Sequence, residues 1–290
     1  MKKFKLGEFE RNSAIVFAIS MLANVVTYLY QIVMGNLLSP ADYGTINTLL
    51  SLSIVIGVPS GIISTLVATY TAKYQAVGKP ELIGGFMHKM LRASVLLACV
   101  VFAAGAALSS IIANVLQIEE TRYILATMVV VAFSCVAPVF SCTLQGVKRF
   151  VPYSINGVLN IAIRLLLSIP FVWMGFGIGG NLAAVILAAF ATAAFCFWRA
   201  RDLFFAPKIE QLHLDRTEIR SYFVSTFWFQ LFLLLMANGD VLLIKTFAAD
   251  PAEVGIYSSG SVIGKISLYL ANAIVPVLLP MVAECQSTGH

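Results

Sequence analysis

Long apolar runs separated by short polar breaks make up almost the whole chain. Hydrocarbon about 30 Å thick is crossed by roughly 20 apolar residues in a helix. Eight stretches meet that length: about 13–37, 44–70, 91–116, 122–146, 154–176, 178–199, 221–247 and 254–281. The breaks are turn-like, as in Ser39-Pro40, Gly78-Lys79-Pro80 and Gly175 to Gly180. This pattern predicts an all-α, polytopic transmembrane helix bundle and leaves no stretch for a soluble catalytic domain. Proline interrupts several spans, at Pro59, Pro138, Pro170, Pro276 and Pro280. It removes a backbone hydrogen bond and bends a helix axis. The second span is the expected hinge, because Gly57 and Gly61 flank its Pro59.

Composition agrees with the pattern. Hydrophobic residues make up 59% of the chain and charged residues 11%, against about 25% charged in a soluble domain; mean hydropathy is +0.89. Most of the 19 basic residues fall on alternate breaks. The N-terminal tail holds Lys2, Lys3, Lys5 and Arg11. The second break and its flanks hold Lys73, Lys79, Lys89 and Arg92, the fourth Lys148 and Arg149, and the sixth Arg199, Arg201, Lys208, Arg216 and Arg220. The intervening breaks hold Arg122 beside Asp42, Glu119, Glu120, Asp250 and Glu253. Positive charge gathers on the cytoplasmic side, so a multi-pass protein of the cell (inner, cytoplasmic) membrane with a cytoplasmic N-terminus is expected. The net charge of +5 is then topology bias, and no nucleic-acid partner is expected. The first apolar run is too long for a cleaved signal peptide and lacks a small-residue cleavage site.

Chemistry-bearing motifs are sparse. The five cysteines form no C-x-x-C pair and the chain has three histidines, so no metal site is expected. No phosphate-cradling glycine loop is present. The expectation is a non-enzyme with no catalytic residues and no cofactor, driven, if at all, by an H⁺ or Na⁺ gradient.

Pro40-Ala41-Asp42-Tyr43-Gly44 joins spans one and two, and Pro251-Ala252-Glu253-Val254-Gly255 joins spans seven and eight, at a constant offset of 211 residues. The two hairpins are separated by six spans and point the same way. A repeat of this kind implies halves related by an axis along the membrane normal.

The run Asn36 to Gly44, after an N-terminal helix with a polar face, resembles polysaccharide-biosynthesis flippases of the multidrug/oligosaccharidyl-lipid/polysaccharide exporter superfamily. Asn238-Gly239-Asp240-Val241-Leu242-Leu243-Ile244, followed by Pro251 to Tyr257, is similar to the seventh-helix region of that family. The resemblance implies two six-helix bundles around a V-shaped cleft. It also implies alternating access that carries lipid-linked oligosaccharide, such as exopolysaccharide or O-antigen units, from the cytoplasmic to the outer leaflet. It implies a polyprenyl-linked glycan as substrate, and polymerases or glycosyltransferases as partners beside the lipid bilayer. Family members have 12 or 14 helices, so the expected division is a six-helix bundle over 1–200, a cytoplasmic linker over 201–220, and the start of a second bundle over 221–290. A fragment of a longer protein is therefore expected.

Polar residues on the spans recur at helical spacing. Ser20, Asn24, Thr27 and Gln31 share one face of span one, and Asn156, Asn160, Arg164 and Ser168 one face of span five. Ser134, Ser141 and Gln145 share a stripe on span four, and Ser258, Ser261, Lys265, Tyr269 and Asn272 one on span eight. Small and polar residues also glue membrane helices together, at about 0.6 kcal/mol per hydrogen bond, which is the preferred reading for an isolated serine. A cation at bilayer depth costs roughly 2.5–3.5 kcal/mol and marks a wet cavity or a partner. At about 1.5 Å rise per residue, Lys265 lies roughly 16 Å inside the outer boundary and Asp240 roughly 10 Å, close enough in depth to pair.

Arg164 has no acid at its depth in its own bundle, and a guanidinium binds phosphate oxygens bidentately. The expected substrate-binding residues are Arg164, Lys265, Asn24, Gln31, Asn160 and Asn272, with Asp240 as the ion-coupling carboxylate. Lys245, only about 3 Å from the boundary, is expected to snorkel to the interface. The alternatives are a drug/cation antiporter of the same superfamily, which needs an acidic cavity, and an integral membrane glycosyl- or phospho-transferase, which needs acids or histidine at a membrane face. Asp202, Asp215 and His213 lie in the linker and fit a solvated loop instead.

Overall fold

The structure is a computed structural model that describes residues 6–76, 78, 81–205 and 216–265, with the backbone alone for 6–16 and 216–222. Every regular element among them is helical. In chain order they are α1 (Leu6–Leu37), α2 (Pro40–Ile56), α3 (Val58–Ala76), α4 (Glu81–Ala107), α5 (Ser109–Val115), α6 (Thr121–Val136), α7 (Pro138–Gly146), α8 (Phe150–Phe171), α9 (Gly177–Phe204), α10 (Arg216–Phe247) and α11 (Pro251–Gly264). A wide turn, Val172–Phe176, connects α8 to α9.

Five stretches are long and apolar enough to cross a membrane: Phe17–Leu37, Glu81–Ala107, Thr121–Gly146, Phe150–Phe204 and Phe223–Phe247. A sixth is the α2–α3 pair, bent by 50° where Gly57 interrupts it just before Pro59. Phe150–Phe204, 55 residues long, is a hairpin. Gly175 and Gly177 take φ of +86° and +48°, values that residues with a Cβ rarely adopt, and α8 folds back along α9. Two hydrogen bonds fix that pairing, Asn160 Nδ2 to Thr192 Oγ1 at 3.2 Å and Asn181 Nδ2 to Ser168 Oγ at 3.3 Å. The expected total of eight spans is not reached among the described residues, because the last, 254–281, is described only to Lys265.

The surface is apolar where a soluble protein would be polar. Leu96, Leu166, Phe229 and Met236 are between 68% and 87% exposed, and helices with such faces need lipid rather than water around them. Inside, Tyr30, Met34, Ile46, Ile62, Phe86 and Met128 are fully buried. Most intramembrane hydroxyls turn back onto their own helix. Thr45, Thr48, Thr127, Ser134, Ser141 and Thr143 each donate to a carbonyl three or four residues earlier, the local satisfaction that hydrocarbon demands. The serine stripe on α6–α7 is accounted for in this way.

The repeated motif reappears as repeated local structure. Ser39 and Asp250 both cap their helices, accepting from Asp42 N and Ala252 N, and Pro40 and Pro251 both occupy the first turn, where the missing N–H costs nothing. The two copies also touch. A Cβ on Gly44 would lie 2.7 Å from Gly255 N, and one on Gly255 would overlap the Pro40 carbonyl, 2.6 Å from its carbon. Glycine at both places lets α2 and α11 meet backbone to backbone, the small-residue packing that lipid favours. Further along the seam, Gly61 on α3 abuts the Gln230 amide on α10.

Gly255→Ala should therefore push the helices apart, at a cost of about 1–3 kcal/mol, and lower the Tm of the purified chain in detergent. Gly260→Ala on the same helix, where an added Cβ meets nothing within 4 Å, should leave Tm unchanged or raise it.

Candidate functional site

Arg164 sits on α8 where α1 and α9 converge. Its Nη2 donates to the Tyr30 hydroxyl at 2.8 Å, and its guanidinium carbon lies 4.1 Å from the centroid of the Tyr30 ring, so one aromatic residue supplies both a hydrogen bond and a cation–π contact. The same hydroxyl accepts from Asn181 Nδ2 at 2.6 Å, and Asn181 also reaches Met34 Sδ at 3.3 Å. Tyr30 and Asn181 are sealed from solvent, at 1% and 0% exposure. Arg164 Nε is buried with no partner. Both ion pairs among the described residues lie elsewhere, at Glu120–Arg122 and Arg149–Asp202. The guanidinium is held in place, and its charge is not cancelled.

A second polar cluster lies between α10 and α11. Asp240 Oδ2 accepts from the Tyr257 hydroxyl at 3.0 Å and from Ser261 at 3.2 Å, while its Oδ1 is buried without a partner. Lys265 Nζ donates to Asn238 Oδ1 at 3.3 Å. The Asp240–Lys265 pair expected from depth is not formed. The two helices run in opposite directions, so one turn further along α11 from Ser261 lands on Asn238, two residues earlier on α10. Ser258, placed on the Lys265 stripe by spacing, is instead fully buried; Tyr257, Ser261 and Lys265 make the contacts to α10.

The other expected site residues divide. Gln31 accepts from the Tyr43 hydroxyl at 3.0 Å, joining α1 to α2, and Asn160 donates to Thr192, joining α8 to α9. Both link one helix to the next and remain half-buried. Asn24 is half-buried on α1. Asn272 and Tyr269 lie outside the described residues. No described hydrogen bond connects the Arg164 cluster to the Asp240 cluster.

Lys245 needs the largest correction. It does not snorkel: it is 4% exposed, and its Nζ donates to Thr45 Oγ1 on α2 at 3.3 Å. Beside it, Gln117 Nε2 donates to the Thr246 carbonyl at 3.1 Å. Packing of α10 on α2 covers the ammonium, and position along one helix could not reveal that. Sequence reasoning does not find Tyr30, the partner of Arg164, or Asn181, which shares the Tyr30 hydroxyl. Their signals were an asparagine inside an apolar span, after Gly179-Gly180, and a tyrosine adjoining Gln31.

This helical membrane fold, with its capped and repeated hairpins, has solved counterparts among transporters. A multidrug-resistance MATE-family transporter of the MOP superfamily in an inward-facing conformation is similar to it at a TM-score of 0.68 and 15% identity, over 92% of this chain and 63% of that one. The outward-facing form of a MATE-family transporter gives 0.64 and 17%, over 91% and 62%. A MOP-superfamily transporter from Pyrococcus furiosus, described as having a binding pocket of reverse polarity, gives 0.57 and 16%, over 78% and 53%. The chain spans less than two thirds of the length of these neighbours. No curated protein is similar enough in sequence to match it. Residues 9–286 match the family described as polysaccharide biosynthesis protein, and the chain belongs to that family.

If the Tyr30 hydroxyl and ring hold Arg164, Tyr30→Phe and Arg164→Met should be non-additive. Thermal unfolding of the two single variants and the double should show coupling of roughly 0.5 kcal/mol or more. Additive losses would mean that the contact carries no energy.

Proposed function

We propose that the chain forms the first bundle and the opening hairpin of the second bundle in a flippase. The protein moves lipid-linked oligosaccharide or polysaccharide repeat units from the cytoplasmic to the outer leaflet of the cell membrane, with its N-terminus in the cytoplasm. The observation that carries this reading is Arg164, a guanidinium inside a membrane bundle with no carboxylate within 4 Å among the described residues. Membership of a polysaccharide biosynthesis family supplies a substrate class whose diphosphate and acidic sugars suit such a cation. The family and fold support transport without catalysis.

Lys265 in the second half adds a cation, and on the described parts of α10 and α11 Asp240 is the carboxylate beside it. Its unpartnered Oδ1 beside two hydroxyls suits a proton or Na⁺, which makes it the coupling group. A drug/cation antiporter is the second reading, favoured by the fold of the solved neighbours. The excess of deep cations over acids argues against it here. One of those neighbours is itself described as having reversed pocket polarity.

Arg164→Ala should abolish polymer export in cells while the protein stays inserted and abundant by membrane immunoblot; unchanged export removes Arg164 from the mechanism. Asp240→Asn should eliminate any rise in Tm that Na⁺ produces in the substrate-free chain. A rise that survives the substitution assigns the ion elsewhere.

A further inference from the structure

Where α7 ends and α8 begins, the chain folds against the last turns of α9 and encloses a cavity of about 460 Å³. Among the described residues its lining holds Arg149, Arg199 and Arg201 against one carboxylate, Asp202. That carboxylate is already engaged. Arg149 forks onto it, with Nη1 to Oδ1 at 3.0 Å and Nη2 to Oδ2, while Nη1 also donates to the Arg199 carbonyl at 3.0 Å. The bidentate bond ties the start of α8 to the end of α9 and occupies Asp202, so that among the described residues Arg199 and Arg201 have no carboxylate within 4 Å. The Arg199 and Arg201 guanidinium carbons lie 5.8 and 5.7 Å from the Trp198 ring centroid, and both side chains are exposed. The part of the lining contributed by the start of α8, Phe150, Val151 and Pro152, is apolar.

Tryptophan with arginine at a helix end marks the level of the lipid headgroups, and basic pockets between helices at that level take anionic headgroups. We propose that this groove binds the phosphodiester headgroup of an anionic phospholipid. Arg199 and Arg201 face the phosphate oxygens, and the apolar wall lies under the glycerol and the first acyl carbons. Inorganic phosphate could use the guanidinium forks but would gain nothing from Phe150, Val151 and Pro152. The lipid matches both walls. This site is separate from Arg164 and from the transport reading.

The test is native mass spectrometry of the purified chain, released from micelles holding equal amounts of phosphatidylglycerol and phosphatidylcholine. Phosphatidylglycerol should be retained preferentially. The double variant Arg199→Gln/Arg201→Gln should cut that preference about thirtyfold. Arg201→Gln alone, at an exposed position, should cut it by a smaller factor and serves if the double variant does not fold. Lys89→Gln/Arg92→Gln, exposed cations on α4 outside the groove, should leave the preference intact. Equal loss in that control, or no loss in the groove variants, overturns the proposal. Displacement of phosphatidylglycerol by millimolar inorganic phosphate or glycerol 3-phosphate also overturns it, in favour of a soluble anion.

Discussion

Hydrocarbon offers no hydrogen bonds, so every polar group the chain carries into it must be met from within. That constraint sorts the intramembrane residues into three kinds. Most serines and threonines satisfy themselves on the preceding turn, while the hydroxyls of Thr71, Ser94 and Ser258 are buried without a partner. Asn160, Asn181 and Gln31 reach a neighbouring helix and, in doing so, fix which helices are neighbours. Arg164, Asp240 and Lys265 find polar partners and, among the described residues, no opposite charge within 4 Å.

The third kind is where structure turns toward function. A cation bonded to a phenol and a ring keeps its full charge and gives up only part of its donor capacity. A carboxylate between two hydroxyls keeps one oxygen unused. A packing role would be served more cheaply by apolar residues of similar volume. Retaining ionisable groups at depth is a pattern of proteins that handle ions or charged ligands there, which is why Arg164 rather than the asparagines anchors the functional reading.

Much of this was legible along the chain. The apolar runs marked where helices lie, because membrane thickness fixes their length. Gly57 with Pro59 marked the 50° bend, because backbone chemistry at a break is local. The Pro40–Gly44 and Pro251–Gly255 motifs marked matching hairpins, because caps and first-turn prolines are written in a few consecutive residues. Partner choice was not legible. Asp240 and Lys265 stand at similar depths, yet Tyr257 and Ser261 intervene; Lys245 lies near a boundary, yet α2 covers it. Depth along one axis says nothing about rotation around it or about what packs against it, and those two quantities decide every polar contact in the clusters.

Gly44 and Gly255 are equivalent positions of the repeated motif, and each is the other's neighbour. A surface that meets its own copy is the arrangement found in a two-fold homodimer, here carried within a single polypeptide. Bulk at Gly44 would meet Val254 and the Gly255 backbone on α11, and bulk at Gly255 would meet the Pro40 carbonyl on α2, so neither can enlarge unless the other's helix retreats. Selection on one hairpin is in that sense selection on both.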